Sequence, residues 1–150
     1  MTTQPGTPLS ELNPTKTIYP FSEVFRATTS AQTAADVWKI PKGTIITRVL
    51  VQIVTAATGS ANNIIVGDDD DDNGFILAAS ICGATVGTVY GDSPTELGAY
   101  LAGGDASGTH AGKWKEYHAA GKEIKIDQSA SATTEAVVDI FVFGYRYAYL

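Results

Sequence analysis

The chain has 150 residues, 44% apolar and 17% charged, with a formal charge of −6 and one cysteine, Cys82. That length supports a single hydrophobic core without metal or disulfide staples, and a lone cysteine closes no internal disulfide. Ten Lys and Arg give no basic footprint for a phosphate backbone, no run approaches the ~20 apolar residues of a bilayer span, and Met1 to Ser10 holds neither a positive cluster nor an apolar stretch, so no nucleic acid, no membrane and no export signal are expected.

Residues 1–22 open with Pro5, Pro8, Pro14 and Pro20 among Thr, Ser, Gln and Gly, a composition that removes backbone donors and lacks apolar periodicity. They are expected to form an extended N-terminal arm, with the folded domain at 23–150. Two readings fit the arm: a disordered tail, or a segment whose apolar points Leu9, Leu12, Ile18, Tyr19 and Phe21 lie along a neighbouring molecule.

From Glu23 onward, period-two alternation and short apolar runs bounded by Gly, Pro and Asn predict strands at 23–29, 34–40, 44–56, 62–67, 74–80, 113–118, 122–127 and 135–148. In Thr44 to Val54 the positions Ile45, Val49, Val51 and Ile53 share one face and Arg48 and Gln52 the other, as in a half-buried antiparallel strand. Ile40-Pro41-Lys42-Gly43 is a turn before it. Thr58-Gly59-Ser60-Ala61-Asn62 is expected to close a hairpin between 44–56 and 62–67.

Residues 81–112 hold eight of the fifteen glycines and read as the loop-rich third, with a helical turn at Ser93-Pro94-Thr95-Glu96-Leu97 and a hidden strand within Val86 to Tyr90. The last strand is apolar on both faces, Ala136, Val138, Ile140 and Val142 against Val137, Phe141, Phe143, Tyr145 and Tyr147. Either it is central and covered on both sides, or its aromatic side (Phe141, Phe143, Tyr145, Tyr147) is a subunit interface. Seven or eight strands with hardly any helix predict an all-β fold, an antiparallel β-sandwich of jelly-roll-like kind carrying the N-terminal arm.

Chemistry-bearing motifs are sparse. Without Asp68 to Asp72 the net charge is −1, so the acidity is local. Asp69-x-Asp71-x-Asn73-Gly74 matches the first half of an EF-hand loop, but Ser80 stands where the bidentate Glu belongs and strands flank the run. A solvated turn and a calcium cage built on Asp69, Asp71 and Asn73 are the two readings. Gly91-Asp92-Ser93 is followed by Pro94, where an oxyanion would need a backbone donor, and His110 and His118 are the only candidate bases. One Cys and two His do not make a zinc site, and no phosphate-binding glycine loop occurs. Trp114 with Tyr117, and Trp38, are candidate sugar platforms, although a sandwich tryptophan is more often core. No enzyme is expected.

Ile40-Pro41-Lys42-Gly43-Thr44-Ile45-Ile46-Thr47-Arg48-Val49, Val51 to Ala56, Ile65-Val66-Gly67-Asp68, Asn73-Gly74-Phe75-Ile76 and the Val138 to Tyr147 strand resemble small β-sandwich virion proteins of tailed bacteriophages. The resemblance covers 34–80 and 122–148 through strand and turn patterns, with no catalytic letter. It implies a head decoration, or cement, protein on the outer surface of the assembled capsid, bridging major capsid protein subunits, commonly as a homotrimer, and assembled in the host cytoplasm. The alternatives are another virion component (neck, tail or head fibre) and a calcium-dependent glycan-binding module.

Overall fold

The computed structural model describes residues 16–29, 35–59, 63–102, 113–128 and 134–149. Nine strands and one short helix follow in the order β1 (Lys16–Thr28), β2 (Ala35–Lys39), β3 (Thr44–Thr55), β4 (Asn63–Gly67), β5 (Ile76–Ser80), β6 (Val89–Tyr90), α1 (Ala99–Ala102), β7 (Lys115–Tyr117), β8 (Glu123–Gln128) and β9 (Val137–Tyr149). One sheet has the order β1-β9-β3-β6, with β7 also on β3, and the other the order β2-β8-β4-β5. If β6 and β7 are taken together as one position, this is the strand order of an eight-stranded jelly roll, and the expected all-β sandwich is what forms.

Period-two alternation explains the core. Val49, Val51 and Ile53 of β3, Val138, Ile140 and Val142 of β9, Ile64 and Val66 of β4 and Ile124 and Ile126 of β8 all point between the sheets and are almost fully buried. The first turn of β3 differs from expectation. A bulge between Ile46 and Arg48 shifts the alternation by one, so Ile46 enters the core and Ile45 stands on the outer face.

The expected hairpin of β3 with β4 does not form. The segment after Thr55 passes from one sheet to the other, where β4 pairs with β5 and β8. Alternation fixed which faces were apolar but was silent on partners, and Ala57 instead bridges Cys82. The residues around the 93–97 turn contain a tighter turn in which Glu96 N–H donates to Ser93 C=O, and the helix begins only after Gly98.

The boundary expected at residue 22 falls inside β1. Residues 16–22 pair with β9 from Lys16↔Tyr149 onward, so this part of the arm belongs to the sheet. Leu9 and Leu12 lie outside the described residues. Among the described residues no helix is long and apolar enough to cross a membrane.

Candidate functional site

Two features stand apart from the core: a polar network at one end of the sandwich and an open apolar face on one sheet.

The network is centred on Asp68. Ile64 and Val66 point inward, and the same alternation sends the next even residue, Asp68, inward just as β4 ends. Its side chain is buried at 2% exposure, where an unpaired carboxylate is costly, and each oxygen is satisfied. Oδ1 accepts from Tyr100 Oη at 2.8 Å and from the amides of Asp70 and Asp71 at 2.9 and 3.1 Å, and Oδ2 accepts from Tyr117 Oη at 2.6 Å. The carboxylate thereby joins the acidic loop, α1 and β7. Burial, and then the hydrogen bond to Asp68, push both tyrosines far above the ordinary phenol range.

Three of its neighbours in the acidic run, Asp69, Asp70 and Asp71, are bound by protein groups. Asp69 pairs with Lys125 and accepts from Glu123 N–H, Asp70 pairs with Lys122, and Asp71 Oδ1 accepts from Asn73 N–H at 3.3 Å. The hydrogen bond from Lys125 lowers the Asp69 pKa, and the carboxylate partners raise those of Lys122 and Lys125. Within this loop Asp69 thus faces Lys125 and Glu123, whereas Asp71 accepts from Asn73. Among the described residues no group of three or more His, Cys, Asp or Glu side chains is placed to hold a metal ion.

The face is the outer side of β1, β9 and β3. Register sets Ile18 opposite Tyr147, Pro20 opposite Tyr145 and Val24 opposite Phe141 across β1 and β9. It sets Ile45 opposite Tyr145, Arg48 opposite Phe143 and Leu50 opposite Phe141 across β3 and β9. Ile18 at 58%, Val24 at 55% and Tyr145 at 46% are exposed, and Phe141 and Phe143 are half-buried, so among the described residues no layer covers this side. Strand β9 is therefore central in its sheet, with its inner face covered and its aromatic face open. Tyr147 is the exception. It is buried within the chain, with Lys16 4.3 Å above its ring and His118 Nδ1 3.2 Å from its hydroxyl. Arg26 and Asp139 close one end of the face with a two-pronged ion pair, both contacts 2.8 Å.

Phe21, expected to reach a neighbour, turns inward because its position alternates with Pro20. It packs on Trp38 at 5.8 Å, as does Phe25 at 5.3 Å, and Arg146 lies over the rings of Phe21 and Trp38. Tyr19 is exposed. Among the sugar-platform candidates, Trp38 is spent on this stack and Tyr117 is buried, whereas Trp114 is 54% exposed. Ser93 Oγ lies 3.1 Å from Thr95 Oγ1, His118 faces Tyr147 and Glu116, and His110 lies outside the described residues.

No family model matches the chain, and no curated protein matches it. Among solved structures it is similar to a chain of the cyanophage Pam1 capsid asymmetric unit, with a TM-score of 0.53 and 16% identity over 95% of this chain and 99% of that one. The acidic stable capsid structure of the Helicobacter pylori bacteriophage KHP30 is similar at a TM-score of 0.44 and 14% identity, over 90% and 99% of the two chains. The likeness is one of fold.

Proposed function

We propose that the protein is a structural component of a phage virion, a decoration or cement protein that binds the outer surface of the assembled head and bridges major capsid protein subunits, in threes around the three-fold positions. The observation that carries the reading is the end-to-end match in fold with a chain of a phage capsid asymmetric unit, 99% of whose length is covered. The open apolar face of β1, β9 and β3 supports it. Exposed apolar surface of this kind on a small acidic protein is what a lattice-binding molecule requires, and many copies on one shell make modest contacts strong. A protein that binds the mature shell more tightly than the broken one stabilises it by that difference alone.

The test is binding of the purified chain to heads that lack it, read by co-sedimentation. Binding and increased resistance of heads to heat support the proposal, and no binding to any stage of the head overturns it in favour of the neck, tail or fibre. Deleting residues 1–15 leaves β1 whole and asks what the arm adds. A head affinity unchanged by that deletion removes the arm from the interface.

A further inference from the structure

Beside the open face, between the bulge of β3 and the segments that precede α1 and β7, lies a pocket of about 240 Å³. Leu97 and Leu101 give it an apolar floor, and Arg48, Lys113 and Asp92 stand around it. Arg48 is opposite Phe143 in the β3 and β9 register, so the pocket and the aromatic stripe form one continuous surface. Neither Arg48 nor Lys113 is ion-paired among the described residues, with Asp92 or with any other acid. Other cations of the described surface are ion-paired: Arg26 with Asp139, Lys122 with Asp70, and Lys125 with Asp69. An excess of positive charge therefore sits beside apolar surface on a chain whose net charge is −6.

We propose that this surface docks an acidic segment of a partner protein, with an Asp or Glu carboxylate entering between Arg48 and Lys113 and neighbouring apolar side chains lying on Phe143, Tyr145 and Leu50. Charge complementarity selects this occupant. A planar guanidinium and an ammonium lining one pocket with Leu97 and Leu101, against the single carboxylate of Asp92, suit a carboxylate, whose attraction is strengthened where water is partly excluded. The inference rests on the head-binding reading and names what the shell must present to this face.

Arg48→Glu on this face and Lys39→Glu on the exposed side of β2 change net charge equally, from opposite sheets. Binding to bare heads is measured for both beside the wild-type chain, over a series of salt concentrations. The expected result is a loss of about ten-fold or more in affinity for Arg48→Glu, under two-fold for Lys39→Glu, and weakening of wild-type binding as salt rises. Should Arg48→Glu lower the unfolding temperature, Lys113→Glu reverses charge at the same pocket from outside the sheet. Wild-type affinity in both charge reversals, with wild-type binding intact, overturns the docking proposal and spares the head-binding reading. A wild-type chain that fails to bind heads overturns both. A wild-type oligomer that Arg48→Glu dissociates, by light scattering, overturns the proposed occupant and makes the face a contact between copies.

Discussion

Replacing Asp68 by alanine removes one carboxylate and leaves two buried donors without an acceptor, the hydroxyls of Tyr100 and Tyr117, together with two part-buried amides, those of Asp70 and Asp71. Each buried donor left unsatisfied costs about 1–3 kcal/mol. Water entering the vacated space, and the relief of no longer burying a charge, return part of that sum. A net destabilisation of about 4 kcal/mol is expected, equivalent to a fall of roughly 8–16 °C in unfolding temperature for a chain of this size. Asp68→Asn keeps the shape and an acceptor on Oδ1 but weakens those bonds from charge-assisted to neutral. It also sets an NH₂ against the Tyr117 hydroxyl, which must turn to accept, so about half the effect, ~2 kcal/mol, is expected. Urea and thermal unfolding of the two variants beside wild type make the comparison. An alanine variant within about 1 kcal/mol of wild type would falsify the claim that Asp68 holds this end of the sandwich together.

Tyr100 and Tyr117 have folded pKa values raised above the unfolded phenol value of about 10, so their contribution to stability is complete below pH 10 and is lost as pH rises beyond it, by up to about 1.4 kcal/mol per pH unit for each. Ultraviolet titration should therefore show at least two of the seven tyrosines ionising only with unfolding; all seven ionising in a folded chain would contradict the network. At Gly144 an added Cβ would stand 1.9 Å from the Ile45 carbonyl oxygen, so Gly144→Ala must push β9 off β3. A loss of about 3 kcal/mol or more is expected in urea unfolding, and a neutral result would mean that the two strands do not approach as described. Because Lys125 and Lys122 already engage Asp69 and Asp70, the unfolding temperature should be the same in millimolar calcium and in chelator. A rise of several degrees with calcium would make Asp69, Asp71 and Asn73 ligands after all.

The strands were legible because a sheet with one wet face writes its period into the sequence, and β2, β3, β4, β8 and β9 lie within a residue or two of where alternation put them. Pairing was not legible. Thr58 to Asn62 has the residues of a tight turn whether it joins neighbours in one sheet or crosses between two, and only the competition of β8 for the edge of β4 decides. The bulge after Ile46 was equally silent, since Ile45 and Ile46 are chemically the same and backbone alone chooses which goes in. Pro20 and the polar residues before it hid the start of β1. An edge strand tolerates proline because one side of its ladder is free, so composition that reads as arm is also composition permitted at an edge.

The centre of the polar network could have been found. Ile64, Val66 and Asp68 keep the same parity, and extending the alternation by one step singles out Asp68 from its four neighbours as the acid that must go inside. Its two phenol partners could not, because Tyr100 lies in the glycine-rich third, where no period exists, and Tyr117 comes to it through pairing of β7 with Thr44, Ile45 and Ile46. That network also bears on the open face. In α1, Tyr100 reaches the Asp68 carboxylate while the next residue, Leu101, lines the pocket beside Arg48. Likewise Tyr117 anchors the strand that begins two residues after Lys113. A buried carboxylate with fixed hydrogen-bond directions thus holds both the floor and one cation of a surface site it never touches. The most acidic loop of the chain is the part that keeps a positively charged pocket in shape.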